Sequence, residues 1–218
     1  MRVVIIGAGG HGQVTAEILL RMQEQDGSMQ PLGYLDDDPK LAGRSFLGLP
    51  VLGTITDWSS IEHDAAIVAI GDNTVRRSRF KELESQGEHW AIACHPRAVV
   101  GLGVSIGPGS MICAGAVINA GSVIGANVIL NTGCTVDHHN CIGDHVHVAP
   151  GAHLGGEVAI GEGTLVGIGA IVMPGRSVGD WSIVGAGALV HRHLPSNITA
   201  IGAPARVMQK GWQSLARR

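Results

Sequence analysis

From about residue 100 the chain repeats a six-residue pattern of hydrophobic and polar positions. Every sixth residue from Val100 to Val190 is Val, Ile or Leu, and glycine is the commonest residue to follow it. The fifth place of each repeat, from Val104 to Ala188, is small except at Asn140 and Arg176. One aliphatic and one small inward residue in every six is the pattern of a hexapeptide β-helix, where each hexapeptide supplies a short strand and a turn. Three hexapeptides close a triangular coil of eighteen residues, so 100 to 190 predicts about five coils with no inserted loop. The aliphatics stack into one interior column that no single repeat could bury alone.

The first ninety residues follow other periods. RVVIIG reads as a buried strand, GAGGHG as a glycine loop, and residues 13 to 25 as an amphipathic helix. PLGYLDDD reads as a second strand ending in acids, AAIVAIGDN as a third, and TVRRSRFKELESQG as a second helix. This βαβαβ order predicts half of a doubly wound, Rossmann-like nucleotide fold. The expected division is an α/β domain over 1–92 and an all-β helix with its C-terminal cap over 93–218. The tail AIGAPARVMQKGW is expected to cover the open end of the last coil.

Composition agrees with this picture. Aromatic residues are 3% of the chain and glycines number 33, so the core must be built from Val, Ile, Leu and Ala around tight turns. A net charge of -3 without a basic stripe argues against nucleic acid as a partner. Cys94, Cys113, Cys134 and Cys141 show no CxxC spacing and read as reduced core residues. The opening MRVVIIGAGGHG runs straight from strand to glycine loop, unlike a secretory leader. No apolar run approaches the ~18 residues that span a bilayer. The expectation is a soluble cytoplasmic protein.

GAGGHG fits G-x-G-x-x-G through Gly7, Gly9 and Gly12, placed after a strand and before a helix. Backbone N–H groups there can hold a pyrophosphate, although close strand–helix packing alone would also account for the glycines. The acid expected in a nicotinamide binder arrives late, as Asp36, Asp37 and Asp38. A nucleotide-sugar diphosphate needs the same anion cradle in less room. His11 could add a donor to phosphate or sugar.

Five of the eleven histidines fall in TVDHHNCIGDHVHVAPGAHLGG, residues 135 to 156. His138 and His139 are the third and fourth residues of the hexapeptide starting at Val136, which puts both in a turn rather than in the interior column. Gly156, eighteen residues on, lies one coil further in the column of His138. A base beside a gap and a backbone N–H is a minimal kit for acyl transfer. Asp137 is adjacent, but strand neighbours point apart, so whether it orients His138 stays open. His145 and His153 read as surface polar residues. Three-histidine zinc sites in β-helical carbonic anhydrases of the γ class use two histidines five residues apart, a spacing this chain lacks; no metal is expected.

With these residues in view, the chain resembles the sialic-acid O-acetyltransferase and bacterial amino-sugar N-acetyltransferase family, which includes bacillosamine and perosamine N-acetyltransferases. IIGAGGHGQV, GYLDDDP, AIGDN, ILNTGCTVDHHNCIGDHVHVAPGAHLGG and IGAPAR carry the resemblance. It implies a left-handed β-helix, a homotrimer, and an acetyl-CoA groove between adjacent β-helices. By resemblance His138 is the base that takes a proton from a sugar amine attacking the acetyl-CoA thioester. Asn131 lies near the acceptor sugar, His147 at the acetyl-CoA end, and the Gly156 N–H faces the thioester carbonyl. Gly71, Asp72, Asn73, Asp36 and Asp37 match loops that hold the nucleotide. The family usually has Asp or Glu directly after the base, where this chain has His139; the acid's work would then fall to Asp137 or to a neighbouring subunit, and His139 is expected to be a surface residue.

The reading is N-acetylation of a nucleotide-linked amino sugar of the 4-amino-4,6-dideoxyhexose type. O-acetylation of a sialic or related sugar is the alternative enzyme, and a nucleotide-binding scaffold without chemistry is the alternative from another class. A hydroxyl is a weaker acid than an ammonium and leans harder on general-base help.

Overall fold

A computed structural model describes residues 1–208. In the N-terminal part, β1 (Arg2–Ile6), α1 (Gly10–Asp26), β2 (Gln30–Leu35), β3 (Ser45–Phe46), β4 (Leu49–Gly53), β5 (Ala65–Val68) and α2 (Asn73–Glu84) follow in order. The sheet runs β3-β4-β2-β1-β5, parallel except for the β3–β4 hairpin. Val3 to Ile6 and Ala65 to Val68 are buried, as expected of central parallel strands covered on both faces.

Three differences from the sequence reading have local causes. Helix α1 starts three residues early, at Gly10, because the end of the glycine loop is already helical. The second strand stops at Leu35, leaving the acids in a loop beyond it. The hairpin β3–β4 was not foreseen. Its two-residue turn is Leu47-Gly48, both at positive φ, instead of the Asn-Gly or Asp-Gly that signals such a turn.

Strand β6 (Ala93–Cys94) pairs with Met111–Ile112 and begins the β-helix. From Val99–Val100 to Leu189–Val190, two-residue strands recur every six residues. Up to Ile171–Val172 each pairs in parallel with the strand eighteen residues later, as Val117 does with Thr135 and Thr135 with His153. Three faces result. The first carries Ile129–Leu130, His147–Val148, Leu165–Val166 and Ile183–Val184; the second Thr135–Val136 and His153–Leu154; the third Cys141–Ile142 and Ala159–Ile160. Of the column predicted from Val100 to Val190, Ile112 to Val190 form one continuous buried core and Ile106 packs partly buried against it, while Val100 is exposed at its uncovered start.

Asn140, one of the two departures from the small fifth position, is fully buried and satisfied. Its Nδ2 donates to the carbonyls of Asp137 and Gly155, and its Oδ1 accepts from Val158 N. Thr199–Ile201 extends the first face and pairs antiparallel with Arg206–Val207 over the last coil. The remainder of the expected cap, 209–218, lies outside the described residues. The N-terminal domain covers the start of the first face: Met111, Cys113 and Ile129 share one core with Val3, Ile5, Ala16 and Leu19. The four cysteines are free. Among the described residues no helix is long and apolar enough to cross a membrane.

Candidate active site

The glycine motif divides into support and opening. A Cβ on Gly12 would collide with the carbonyl of Gly7, so Gly12 lets α1 pack onto the end of β1. Gly7 holds φ +109°, a turn that L side chains rarely adopt. Gly9 and Gly10 have open space beside them, so a ligand can approach their backbone. With Gly7, His11, Asp36, Asp37, Gly71 and Arg79 they line a cavity of about 400 Å³.

Most of the expected nucleotide residues spend their side chains on the cavity's frame. Asp36 Oδ2 accepts from Ala8 N at 2.7 Å, and Asp37 accepts from Ile55 N at 3.0 Å and pairs with Arg79 at 2.9 Å. Asp72 caps α2 by accepting from Thr74 N and Val75 N. Asn73 donates to Gly163 O of the β-helix at 2.9 Å. Gly71, by contrast, has open space. Arg79, the cation in this cavity, was missed, although TVRRSRF already placed a run of arginines on α2.

His11, in the lining of this cavity, meets His147 of the first face of the β-helix, with ring centroids 6.2 Å apart. Asn131 Nδ2 and His147 Nε2 are 3.0 Å apart, so the imidazole accepts and carries its hydrogen on Nδ1. Burial pushes the His147 imidazolium down to about 3, with the nearby Arg76 charge and His11 adding to the effect. Burial likewise holds His11 at about 4, and its Nε2 has no partner. Both rings are therefore neutral at physiological pH and offer hydrogen bonds without charge. His147 thus lies beside His11 on the first face, while His138 stands at the corner between the second and third.

His145, expected at the surface, is 1% exposed. It packs edge-on against Phe80, bonds Asn127 through Nδ1 at 2.9 Å, and is held at about 4 chiefly by burial. Periodicity places a fourth turn position outward; it cannot show that α2 lies over that corner. His153 is exposed and bonded to Thr135.

On the opposite corner, between the second and third faces, His138 lies against Gly156. A Cβ there would come within 2.5 Å of both Cε1 and Nε2 of the imidazole. Asn140 and Ser122 grip the Asp137 carbonyl from inside the coil, fixing the turn. Asp137 does not touch the ring: its Oδ1 accepts from His138 N and Asn119 Nδ2, both at 2.8 Å. The ring partner is His139, whose Nδ1 is 3.1 Å from the Nδ1 of His138. His139 stands at φ +56°, and its ring leans over Gly121, where a Cβ would meet Cδ2 at 2.8 Å. Whether Asp137 orients the ring, open in the sequence, is answered in the negative within this chain, and His139 is exposed as expected while also touching His138.

Ala126, His138 and Glu162, in the turn register of Gly156, each donate a backbone N–H to an aspartate. Gly156 has no such partner among the described residues. Nor is any group of three or more His, Cys, Asp or Glu among them placed to hold a metal ion.

Solved proteins resemble this chain along nearly its whole length. The family model of the PglD N-terminal domain matches residues 2–83. The acetyltransferase domain of PglB from Neisseria gonorrhoeae is 36% identical, covering 95% of this chain and 99% of that chain at a TM-score of 0.88. That domain has also been solved in complex with acetyl coenzyme A. PerB from Caulobacter crescentus, in complex with CoA and GDP-perosamine, is 38% identical over 96% of this chain and 98% of that chain, with a TM-score of 0.88. WeeI from Acinetobacter baumannii is 29% identical over 95% of this chain and 100% of that chain, with a TM-score of 0.84. A comparison with curated proteins returns no match. Likeness of this extent shows that the chain belongs to the family of sugar N-acetyltransferases represented by the PglB domain and perosamine N-acetyltransferase.

Proposed function

We propose that the protein moves the acetyl group of acetyl-CoA onto the amine of a nucleotide-linked 4-amino-4,6-dideoxyhexose, with His138 as general base. The observation that carries this reading is the His138 ring against Gly156: a basic nitrogen in a fixed turn, beside a glycine whose N–H has no partner among the described residues. The solved complexes of relatives with acetyl coenzyme A and with CoA and GDP-perosamine support the two substrate classes.

In the Nδ1–Nδ1 contact only one ring can carry the hydrogen. When it is His138 that donates to His139, the His138 Nε2 is a bare lone pair on the Gly156 side. It takes a proton from the attacking amine as the nitrogen bonds to the thioester carbon. The carbonyl oxygen gains negative charge and is met by the Gly156 N–H, as in an oxyanion hole. The C–S bond then breaks, and the departing CoA sulfur takes up the proton held by His138. Asp137 fixes the backbone of the base, while His139 replaces the usual acid as its ring partner.

The nucleotide would lie in the Gly9–Asp37–Arg79 cavity, its sugar directed toward His11, Asn131 and His147. His138 occupies the corner opposite the face that carries His147, so one chain cannot bring base and acceptor cavity together. A neighbouring subunit must supply one of them, which supports a trimer. Exposed Val99, Val123, Ile171 and Ile183 give the β-helix apolar surface for such contacts.

The test is release of free thiol from acetyl-CoA with UDP-, GDP- and dTDP-linked 4-amino sugars as acceptors. Turnover with at least one, and none with the matching 4-hydroxy sugar, is the expected result. Thiol release with the hydroxy sugars alone would overturn the reading in favour of O-acetylation.

A further inference from the structure

Arg76 is used by no part of the mechanism, yet its side chain is completely buried. On the N-terminal side its Nη1 donates to the carbonyl of Ile70 at 3.1 Å, to that of Gly71 at 3.4 Å, and to Asn73 Oδ1 at 2.9 Å. On the β-helix side Nη2 donates to His145 O at 2.7 Å and Nε to Asn127 O at 3.2 Å. The planar fork therefore joins the loop at the mouth of the nucleotide cavity to the strand end that leads into His147. No carboxylate is within ion-pair distance of it among the described residues. Docking two domains does not require a guanidinium placed among carbonyls, since burying a charge is costly and apolar packing would suffice. What the fork adds is geometry, because its donors are coplanar and set at fixed angles.

We propose that Arg76 is a positioning residue that couples filling of the nucleotide cavity to the alignment of His147 and Asn131 with the acceptor sugar. The inference rests on the nucleotide-sugar reading above. Gly71 lines the cavity and its backbone also meets the ring of His147, which follows His145 by two residues, so the guanidinium braces from both sides a junction at which cavity and imidazole already touch. Its charge has a second effect. The ionisable groups around it are Asp72 on its own helix, His11 on α1, and His145 and His147 on the β-helix. Arg76 disfavours the protonated forms of all three imidazoles, adding to their burial. A neutral His147 can then accept from Asn131 and remain uncharged beside an arriving ammonium.

The first test uses the wild-type protein with GDP, UDP and dTDP, which lack the hexose beyond the diphosphate that would reach His147. Hydrogen exchange is expected to slow at 70–73 on nucleotide binding and also at 145–148. Protection confined to the N-terminal domain overturns the coupling. If none of the three nucleotides binds, the functional reading falls and takes this inference with it. The second test compares Arg76→Lys with Arg76→Gln. Lysine keeps the charge but not the fork; misplacement on the scale of 1 Å costs ~10²-fold in turnover, while nucleotide affinity should stay nearly unchanged. Glutamine removes the charge, so the imidazole Cε1–H resonances of His11 and His147 should titrate at higher pH than in wild type or Arg76→Lys. A purely structural arginine would lower the melting temperature in both variants and leave turnover of Arg76→Lys near wild type well below that temperature, which would refute the proposal.

Discussion

Gly156→Ala tests the proposed base without touching it. The backbone of Gly156 lies outside the left-handed region, so alanine is compatible with the fold. The new methyl carbon would sit 2.5 Å from His138 Cε1 and Nε2, whereas carbon contacts relax to about 3.5 Å. The ring must therefore retreat by about 1 Å, and a displacement of that size in a reacting group costs ~10²-fold in rate, about 2.7 kcal/mol of barrier. Thiol release at saturating acetyl-CoA and acceptor reads the loss in kcat. Removing the imidazole should make the methyl harmless, because His138→Ala vacates the space. The double variant should thus match His138→Ala alone, the non-additivity expected of two changes acting through one contact. Losses that multiply, or a Gly156→Ala enzyme with wild-type kcat, would refute the placement of the base.

His138→Ala itself should lower turnover by ~10²–10⁴-fold with little change in KM, since the side chain acts mainly in the transition state; unchanged turnover sinks the mechanism. His139→Ala should cost about tenfold in kcat, the scale of one net hydrogen bond, and a wild-type rate would return His139 to the surface role that its sequence position suggested. Gly9→Asp places a carboxylate where phosphate must approach, so calorimetry should show weaker acceptor binding and unchanged acetyl-CoA binding; equal loss of both would indicate a misfolded variant. Thermal unfolding should report the buried imidazoles. His11, His145 and His147 are held at about 4, 4 and 3 against 6.5 when unfolded, so the unfolded chain binds more protons below pH 6.5. Their contribution is complete above that value and is lost as pH falls toward and through 4. His145→Gln should flatten this decline between pH 6.5 and 4, and an equally steep fall in the variant would count against a neutral buried ring.

The β-helix was legible because its core is a one-dimensional pattern: each aliphatic from Ile112 to Val190 meets its own column whatever the rest of the chain does. The same periodicity put His138 in a turn beneath Gly156, since a step of eighteen residues is a vertical neighbour in this architecture. Contacts that depend on the second domain had no such signal. His145 occupies the same turn position as His139, yet one is sealed beneath Phe80 and the other leans over a glycine. Arg76 sits in a helix pattern crowded with charges, where a buried arginine is indistinguishable from a solvated one until the carbonyls of Ile70, Asn127 and His145 converge on it.

These two kinds of residue separate the duties of the site. In the proposed mechanism repeat-encoded positions fix the chemistry: the turn that carries His138 is anchored within the coil by Ser122 and Asn140, so the proposed base needs nothing from the N-terminal domain. In the same proposal junction-encoded positions fix the acceptor: His11, Asn73, Arg76 and His147 exist as a group only because α1 and α2 rest on the β-helix. A change of sugar or nucleotide can therefore be accommodated at the junction while the reacting centre stays intact. Exchanging residues 1–92 with those of a relative should on this argument move acceptor preference and leave the acetyl-CoA KM in place. A chimera that keeps its original acceptor would show instead that the β-helix selects the sugar.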